Sequence, residues 1–224
     1  MTVEHQISSV VAHADDAPAR SKPWFYRSFL KRPLDLFLIL LATPVIVPLI
    51  FLLALLVKRD GGNAFYSQER VGRNGKIYRI WKLRSMVSDA DEVLPAYLAE
   101  NPNAQAEWEE NQKLRHDPRI TRLGHVLRRC SLDELPQLWN VVRGDMSLIG
   151  PRPMMPSQQI YYTGDAYYDL RPGITGYWQV AGRNRTSFSA RAMYDDVYDR
   201  NLSLGSDIGI LWRTVGVVLR ATGC

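Results

Sequence analysis

The apolar run from Leu34 to Val57, LDLFLILLATPVIVPLIFLLALLV, carries a single charge, Asp35. About 20 consecutive apolar residues are needed to cross a bilayer, so these 24 residues place part of the chain in a membrane. A removable signal peptide does not fit, because the run starts too far in, is too long, and lacks a small-residue cleavage site. Pro44 and Pro48 sit inside it, and each removes a helix donor and disfavours α geometry at the preceding residue. Basic residues flank both ends, Arg27, Lys31 and Arg32 before and Lys58 and Arg59 after. The positive-inside bias therefore pulls both ends to the same side. A helix that enters, breaks near Thr43-Pro44 and returns satisfies both flanks; a Pro-kinked spanning helix is the alternative. Trp24, Phe25, Tyr26 and Phe29 suit the headgroup layer on either reading.

Residues 1–22 are polar and aperiodic and read as a disordered tail, 23–60 as the membrane segment, and 61–224 as one globular domain. With 46% hydrophobic residues in 224, the chain buries one sizeable core. The formal charge of +5 favours an anionic partner without choosing among phosphates, lipid headgroups and nucleic acid. Cys130 and Cys224 form no metal spacing and no disulfide framework, which points to a reducing compartment.

Past the membrane run, AFYSQERV and KIYRIWKLRSM flank VGRNGK, where Asn74-Gly75 signals a two-residue hairpin turn. The second strand is basic, with Lys76, Arg79, Lys82 and Arg84 among apolar neighbours. An acidic helical excursion follows from about Ser88 to Gln112, with breaks expected near Pro95 and Asn101-Pro102. Ile120 to Arg129 reads as a basic helix with Ile120, Leu123, Val126 and Leu127 on one face. The terminal segment DIGILWRTVGVVLR is too short to span; it packs on the core or lies at the membrane interface, and apolar residues on more than one face favour packing. His116 and His125 have no partner at metal-ligand spacing.

The stretch SLDELPQLWNVVRGDMSLIGPRP sets Asp133 and Glu134 side by side in apolar, Pro-studded surroundings. Ser131-Leu-Asp-Glu matches a capping box, which would make the acids helix punctuation. Pro136 opposes that reading, since a helix capped at Ser131 would carry it in the second turn; a start nearer Asp133 or a distorted first turn fits better. Adjacent residues on a helix do not face each other, so the two acids are suited to separate roles, one at a reacting atom and one as base or metal ligand. Arg128, Arg129, Arg143 and Arg152 lie close in sequence, and a carboxylate attacks phosphorus only where phosphate charge is neutralised. No Walker A, GxGxxG, HExxH or GxSxG pattern occurs.

Four blocks, KRPLDLFLILLATPVIVPLI, FYSQERVGRNGKIYRIWKLRSM, DPRITRLGHVLRRCSLDELPQLWNVVRGDMSLIGPRP and LRPGITGYWQVAGRN, resemble the bacterial sugar transferase family, the monotopic polyprenyl-phosphate phosphoglycosyl transferases. They occur in the family's order and cover about Lys31 to Leu219. The chain looks like the small form, of the exopolysaccharide-initiating type. The resemblance implies a re-entrant membrane helix with Pro44 as its helix-breaking residue, and a cytoplasmic catalytic domain at the bacterial inner membrane. It implies transfer of a sugar 1-phosphate, galactose or glucose favoured, from a UDP-sugar to undecaprenyl phosphate, with Mg²⁺ and release of UMP. Asp133 would be the nucleophile and Glu134 the base or metal-site residue, with Asp133 and Glu134 as the expected metal ligands. Lys82, Arg84, Arg128, Arg152 and Arg183 match family-type basic positions as anionic substrate contacts.

The expected fold is α+β, short helices around a β-hairpin beside the membrane helix hairpin. Membrane lipids and the two substrates are the expected partners, with no nucleic acid, since no nucleic-acid motif accompanies the charge. A non-catalytic membrane scaffold that binds nucleotide sugars or polysaccharide enzymes is the rival reading, and it leaves Asp133-Glu134 without a task.

Overall fold

The apolar run folds into one helix, α1 (Lys31–Val57), preceded by a π-helical turn (Tyr26–Leu30) and followed by a 3-10 turn (Lys58–Asp60). These elements belong to a computed structural model that describes residues 25–111, 114–181 and 188–219. The helix runs through Pro44 and Pro48 without the expected interruption. In hydrocarbon a chain break would strand several backbone groups, whereas one proline strands few. Next to the first proline, Thr43 Oγ1 donates to Ile39 O at 2.7 Å, a back-bond that bends helices. Leu40 and Val45, midway along, are 71% and 72% exposed.

Both ends of α1 are tied to the rest of the chain. At the start, Lys31 Nζ donates to Asp207 Oδ2 (2.7 Å) and Tyr198 OH (3.0 Å). The Arg32 guanidinium donates to the carbonyls of Val141 (2.5 Å) and Val142 (3.0 Å). Asp35 accepts from Ser147 Oγ at 2.7 Å and from Leu148 N at 3.3 Å. At the far end, Arg84 donates to Val57 O at 3.2 Å and to Asn63 O at 2.6 Å, and it pairs with Asp60.

The hairpin forms as the sequence predicts, β1 (Phe65–Val71) against β2 (Ile77–Leu83), antiparallel with Phe65 opposite Leu83 and Val71 opposite Ile77. Its loop is longer than the expected two-residue turn and occupies 72–76, closed by Gly72 N donating to Lys76 O at 2.7 Å. Asn74 (φ 58°) and Gly75 (φ 75°) take the left-handed conformations for which those residues are suited. A second, parallel pair joins β3 (Ser147–Ile149) to β4 (Gly173–Thr175).

The acidic excursion forms α2 (Ala90–Glu100) and α3 (Pro102–Asn111). The chain breaks at Asn101 but not at Pro95, whose ring frees only the carbonyl of exposed Asp91 in the solvated first turn. The basic helix α4 (Arg122–Arg129) starts two residues later than Ile120, because Thr121 caps it, accepting from Gly124 N at 2.9 Å. Ile120 instead bridges to Met86, and Val126 is exposed while Leu127 is fully buried. There follow α5 (Gln137–Arg143), α6 (Ala166–Asp169), α7 (Tyr177–Ala181), α8 (Ala190–Asn201) and α9 (Leu204–Leu219). The expectation that the terminal segment packs holds for one face of α9, through Asp207, Ile210 and Thr214; Ile208, Trp212 and Val215 face outward.

Apolar packing is divided into four clusters, and three include α1 or its leading turn. Tyr26 packs with Tyr198, Leu202 and Ile210, Ile39 with Ile80, Val141 and Met146, and Leu53 and Val57 with Leu83 and Leu127. The fourth gathers Val71, Met154 and Tyr167.

Candidate active site

The two acids stand on a single 3-10 turn, Leu132–Glu134, between α4 and α5. Ser131 is not a cap: it holds a left-handed conformation, φ 56°, and its side chain makes no capping hydrogen bond. This sharp reversal after α4 lets the acids leave that helix, and Pro136 then lies just before α5 rather than inside it, where its fixed φ is harmless. The distorted start that Pro136 implied in the sequence is therefore what forms.

The hairpin reaches this turn through Asn140, fully buried on α5. Its Oδ1 accepts from Trp81 N at 3.1 Å and its Nδ2 donates to Arg79 O at 2.7 Å, fixing β2 against the helix. Lys82, the next residue, donates from Nζ to Glu134 Oε1 at 2.7 Å and stands 3.8 Å from Asp133 Oδ2. Arg128 is held by Ser85, to whose Oγ its Nε donates at 2.8 Å.

The carboxylates experience different fields. Burial pushes Asp133 above the usual carboxylate range, Glu134 adds to the rise, and Lys82 and Arg128 only moderate it. Burial also works to raise Glu134, yet Lys82, Arg152 and a hydrogen bond from Gln137 outweigh it and hold the group below its ordinary value. The two neighbouring carboxylates are thus shifted in opposite directions, Asp133 toward its protonated form and Glu134 toward its charged one. Burial lowers Arg128, against which the negative charges of Asp133 and Asp117 act.

Asp133 and Glu134 open into a cleft of about 1320 Å³. Lys82, Arg84, Arg128 and Arg152 line it as the sequence predicts. Arg84, however, directs its guanidinium to Asn63 O, Met86 O, Val57 O and Asp60, which makes it a clamp on the exit of α1. Arg143 does not join the group and lies beside Asp145 at 3.5 Å. Arg183 lies outside the described residues.

Arg70 and Arg191 are functional candidates that the sequence reading missed. Both line the cleft, and each keeps a buried guanidinium nitrogen, Arg70 Nη1 and Arg191 Nε, without a hydrogen-bond partner among the described residues. Arg191 stacks on Trp178 (4.4 Å) and Phe188 (4.5 Å), and Arg152 lies 5.6 Å from the Trp178 ring. Burial, with Arg152 and Arg70 nearby, brings Arg191 down to about 10. The alternation of β1 could have found Arg70. Tyr66, Gln68 and Arg70 share one face by period two, and Tyr66 is opposite Lys82 in the register. Arg191 had no comparable signal, sharing α8 with Arg200 and three aspartates.

Among the described residues no three His, Cys, Asp or Glu side chains converge to hold a metal ion. The two carboxylates alone fit Mg²⁺, which is bound through one or two carboxylates together with substrate phosphates rather than in an all-protein cage.

The family model for bacterial sugar transferases matches residues 26–221, and the chain belongs to that family. It is 50% identical over 197 residues to the UDP-galactose-lipid carrier transferase of Erwinia amylovora, covering 87% of this chain and 41% of that protein. It is 42% identical to the exopolysaccharide production protein ExoY of Sinorhizobium fredii, over 86% of this chain and 87% of the relative. The UDP-glucose:undecaprenyl-phosphate glucose-1-phosphate transferase of Caulobacter vibrioides is 38% identical over 84% of this chain and 69% of its own length. The chain thus spans about two fifths of the length of some relatives and most of the length of others.

Proposed function

We propose that the protein transfers a sugar 1-phosphate, galactose or glucose, from a UDP-sugar to undecaprenyl phosphate, initiating exopolysaccharide synthesis. The carrying observation is the buried Asp133 on its 3-10 turn, beside Lys82 and facing an arginine-lined cleft. The relatives, which include galactose and glucose phosphotransferases, agree with this chemistry.

Asp133 in its ionised form attacks the sugar-bearing phosphorus of the donor. A bond from its carboxylate oxygen to phosphorus forms, the bond from that phosphorus to the bridging oxygen breaks, and UMP leaves with the electron pair. The phosphate oxygen of undecaprenyl phosphate then attacks the same phosphorus, releasing Asp133 and giving the lipid diphosphate sugar. Lys82 holds Glu134 and lowers the cost of charge at Asp133, while Arg128 and Arg152 neutralise the phosphates. Asp133 and Glu134 would hold Mg²⁺, which supplies charge neutralisation to the phosphates when bound.

The membrane placement we infer is re-entrant, with the catalytic part on the cytoplasmic face of the inner membrane. Lys31 and Arg32 at one end of α1 and Arg84 with Asp60 at the other bind the same polar body. A helix crossing the bilayer would put its two ends on opposite faces of the hydrocarbon layer, where one polar body could not bind both. The exposed middle of α1 supports the same reading.

The test is UMP release by detergent-purified protein with Mg²⁺, undecaprenyl phosphate and UDP-galactose or UDP-glucose. Wild type is expected to release UMP and Asp133→Asn to lose it while remaining folded. UDP as the product would replace the proposal with ordinary glycosyl transfer, and no nucleotide release from any donor would favour the scaffold.

A further inference from the structure

The side chain of Gln179, on α7, is buried to 8% exposure, yet among the described residues neither its Oε1 nor its Nε2 has a hydrogen-bond partner. Leaving both ends of a carboxamide unpaired costs roughly 1–3 kcal/mol for each group, so such a side chain is a receptor for something the free protein does not hold. Gln179 lines the same cleft as Asp133 and Glu134. Space is kept for it by Gly176, where a Cβ would come within 2.9 Å of Gln179 Oε1 and 2.0 Å of Gly150 O.

The chemistry of the missing partner follows from the groups around it. A phosphate would take the unpaired guanidinium nitrogens of Arg70 and Arg191, not a neutral amide. A carboxamide presents an acceptor oxygen beside a donor NH2 in one plane, and a ligand with an adjacent N–H and C=O pairs with both ends at once. The imide edge of uracil, N3–H beside O4, has that pattern. The order of groups agrees. Glu134 lies within electrostatic reach of Arg152, Arg152 lies 5.6 Å from the Trp178 ring, and Gln179 is the next residue. The donor sugar is attached to the phosphorus at Asp133, whereas the base is separated from it by a phosphate and a ribose.

We propose that Gln179 recognises the uracil edge of the donor nucleotide and is a specificity residue of the cleft, an inference that rests on the UDP-sugar reading above. Trp178, with Arg191 stacked on it at 4.4 Å, fixes the start of the segment that presents the carboxamide.

The experiment compares UDP with its N3-methyl derivative, which lacks the N3–H, by calorimetric titration of detergent-purified full-length protein. Wild type is expected to prefer UDP by about tenfold or more, the discrimination given by one bidentate edge contact. Gln179→Met, matched in volume, and Gln179→Ala are expected to bind both ligands within about twofold of each other, with KM for the UDP-sugar raised and kcat little changed. Variants that keep the tenfold preference overturn the proposal, as does a wild type that turns over UDP-sugar but binds both ligands equally. A variant that alters the preference between UDP-galactose and UDP-glucose while keeping the base preference assigns Gln179 to the sugar and also overturns it. The wild-type comparison needs no variant to fold. A wild type that neither binds UDP nor releases UMP fails the transferase reading itself, which separates the two failures.

Discussion

Lys31 and Asp207 are 176 residues apart in the chain and 2.7 Å apart in space. Asp207 is 1% exposed and also accepts from the Tyr26 and Tyr198 hydroxyls at 2.7 Å each. Removing one partner of a buried ion pair costs about 3–5 kcal/mol because the other charge is left unmatched. Asp207→Ala is therefore expected to lower the thermal midpoint in detergent sharply, and Asp207→Asn by less. A shift of only a degree or two in Asp207→Ala would show that the pair does not hold α1 in place.

Lys82 sets the ionisation of the dyad. Asp133 has a raised pKa, so activity that requires its carboxylate falls as pH drops through a value above the ordinary carboxylate range. Lys82→Met removes the nearest positive charge and should move this acidic limb of kcat/KM further upward, as well as slowing turnover. An acidic limb that stays in place or moves down in Lys82→Met would remove Lys82 from this role.

Asp195 gives a pH dependence of stability distinct from that of activity. Burial raises it to about 7, with Tyr162 donating at 2.9 Å and Arg191 acting in the opposite direction. The folded state binds a proton there that the unfolded chain releases near pH 4, so its contribution is harmless below about pH 4 and increasingly destabilising as pH rises to about 7. Asp195→Asn keeps an acceptor for Tyr162 without a charge. The unfolding free energy of wild type relative to this variant should decline between pH 5 and 8, by a span on the order of 2–4 kcal/mol. An offset that does not vary with pH would refute this.

Asn140 connects packing to chemistry, since its two hydrogen bonds hold the backbone of the strand that carries Lys82. Asn140→Ala takes the side-chain partner from the Trp81 amide and the Arg79 carbonyl, both only part-buried, and should destabilise the fold by about 1–3 kcal/mol. Activity measured well below the melting temperature should fall as well, because Lys82 loses its position. Full activity with an unchanged midpoint would show that β2 holds its place alone.

Local chemistry was legible in the sequence wherever it is carried by short segments. Asn74-Gly75 announced a hairpin, Asp133-Glu134 a pair of acids that opens on a cleft, and Leu34 to Val57 one long apolar helix, because turn, charge and hydropathy act over a few residues. The loop at 72–76 and the cap at Thr121 shifted boundaries through tertiary contacts, Val71 N to Met154 O and Ile120 to Met86. What escaped notice arises from distant pairing. Arg191 and Gln179 matter only because α7 and α8 bring them to a cleft built by the hairpin and the dyad turn. Arg84 was rightly placed at the cleft, but its donors are taken by the end of α1, and no sequence pattern declares a bond from a strand residue to a helix carbonyl.

Three of the four apolar clusters need α1 or its leading turn to be complete. During synthesis this helix precedes every strand in the described chain, so on the membrane placement proposed above it enters lipid while its partners are still unmade. The later segments then assemble on an anchored template, and the bilayer acts as part of the folding environment. Cutting the chain after residue 60 would therefore produce a collection of half-built cores rather than a water-soluble catalyst, and a lipid or detergent that reshapes α1 would be felt at the distance of the Arg84 clamp and the Asp207 lock.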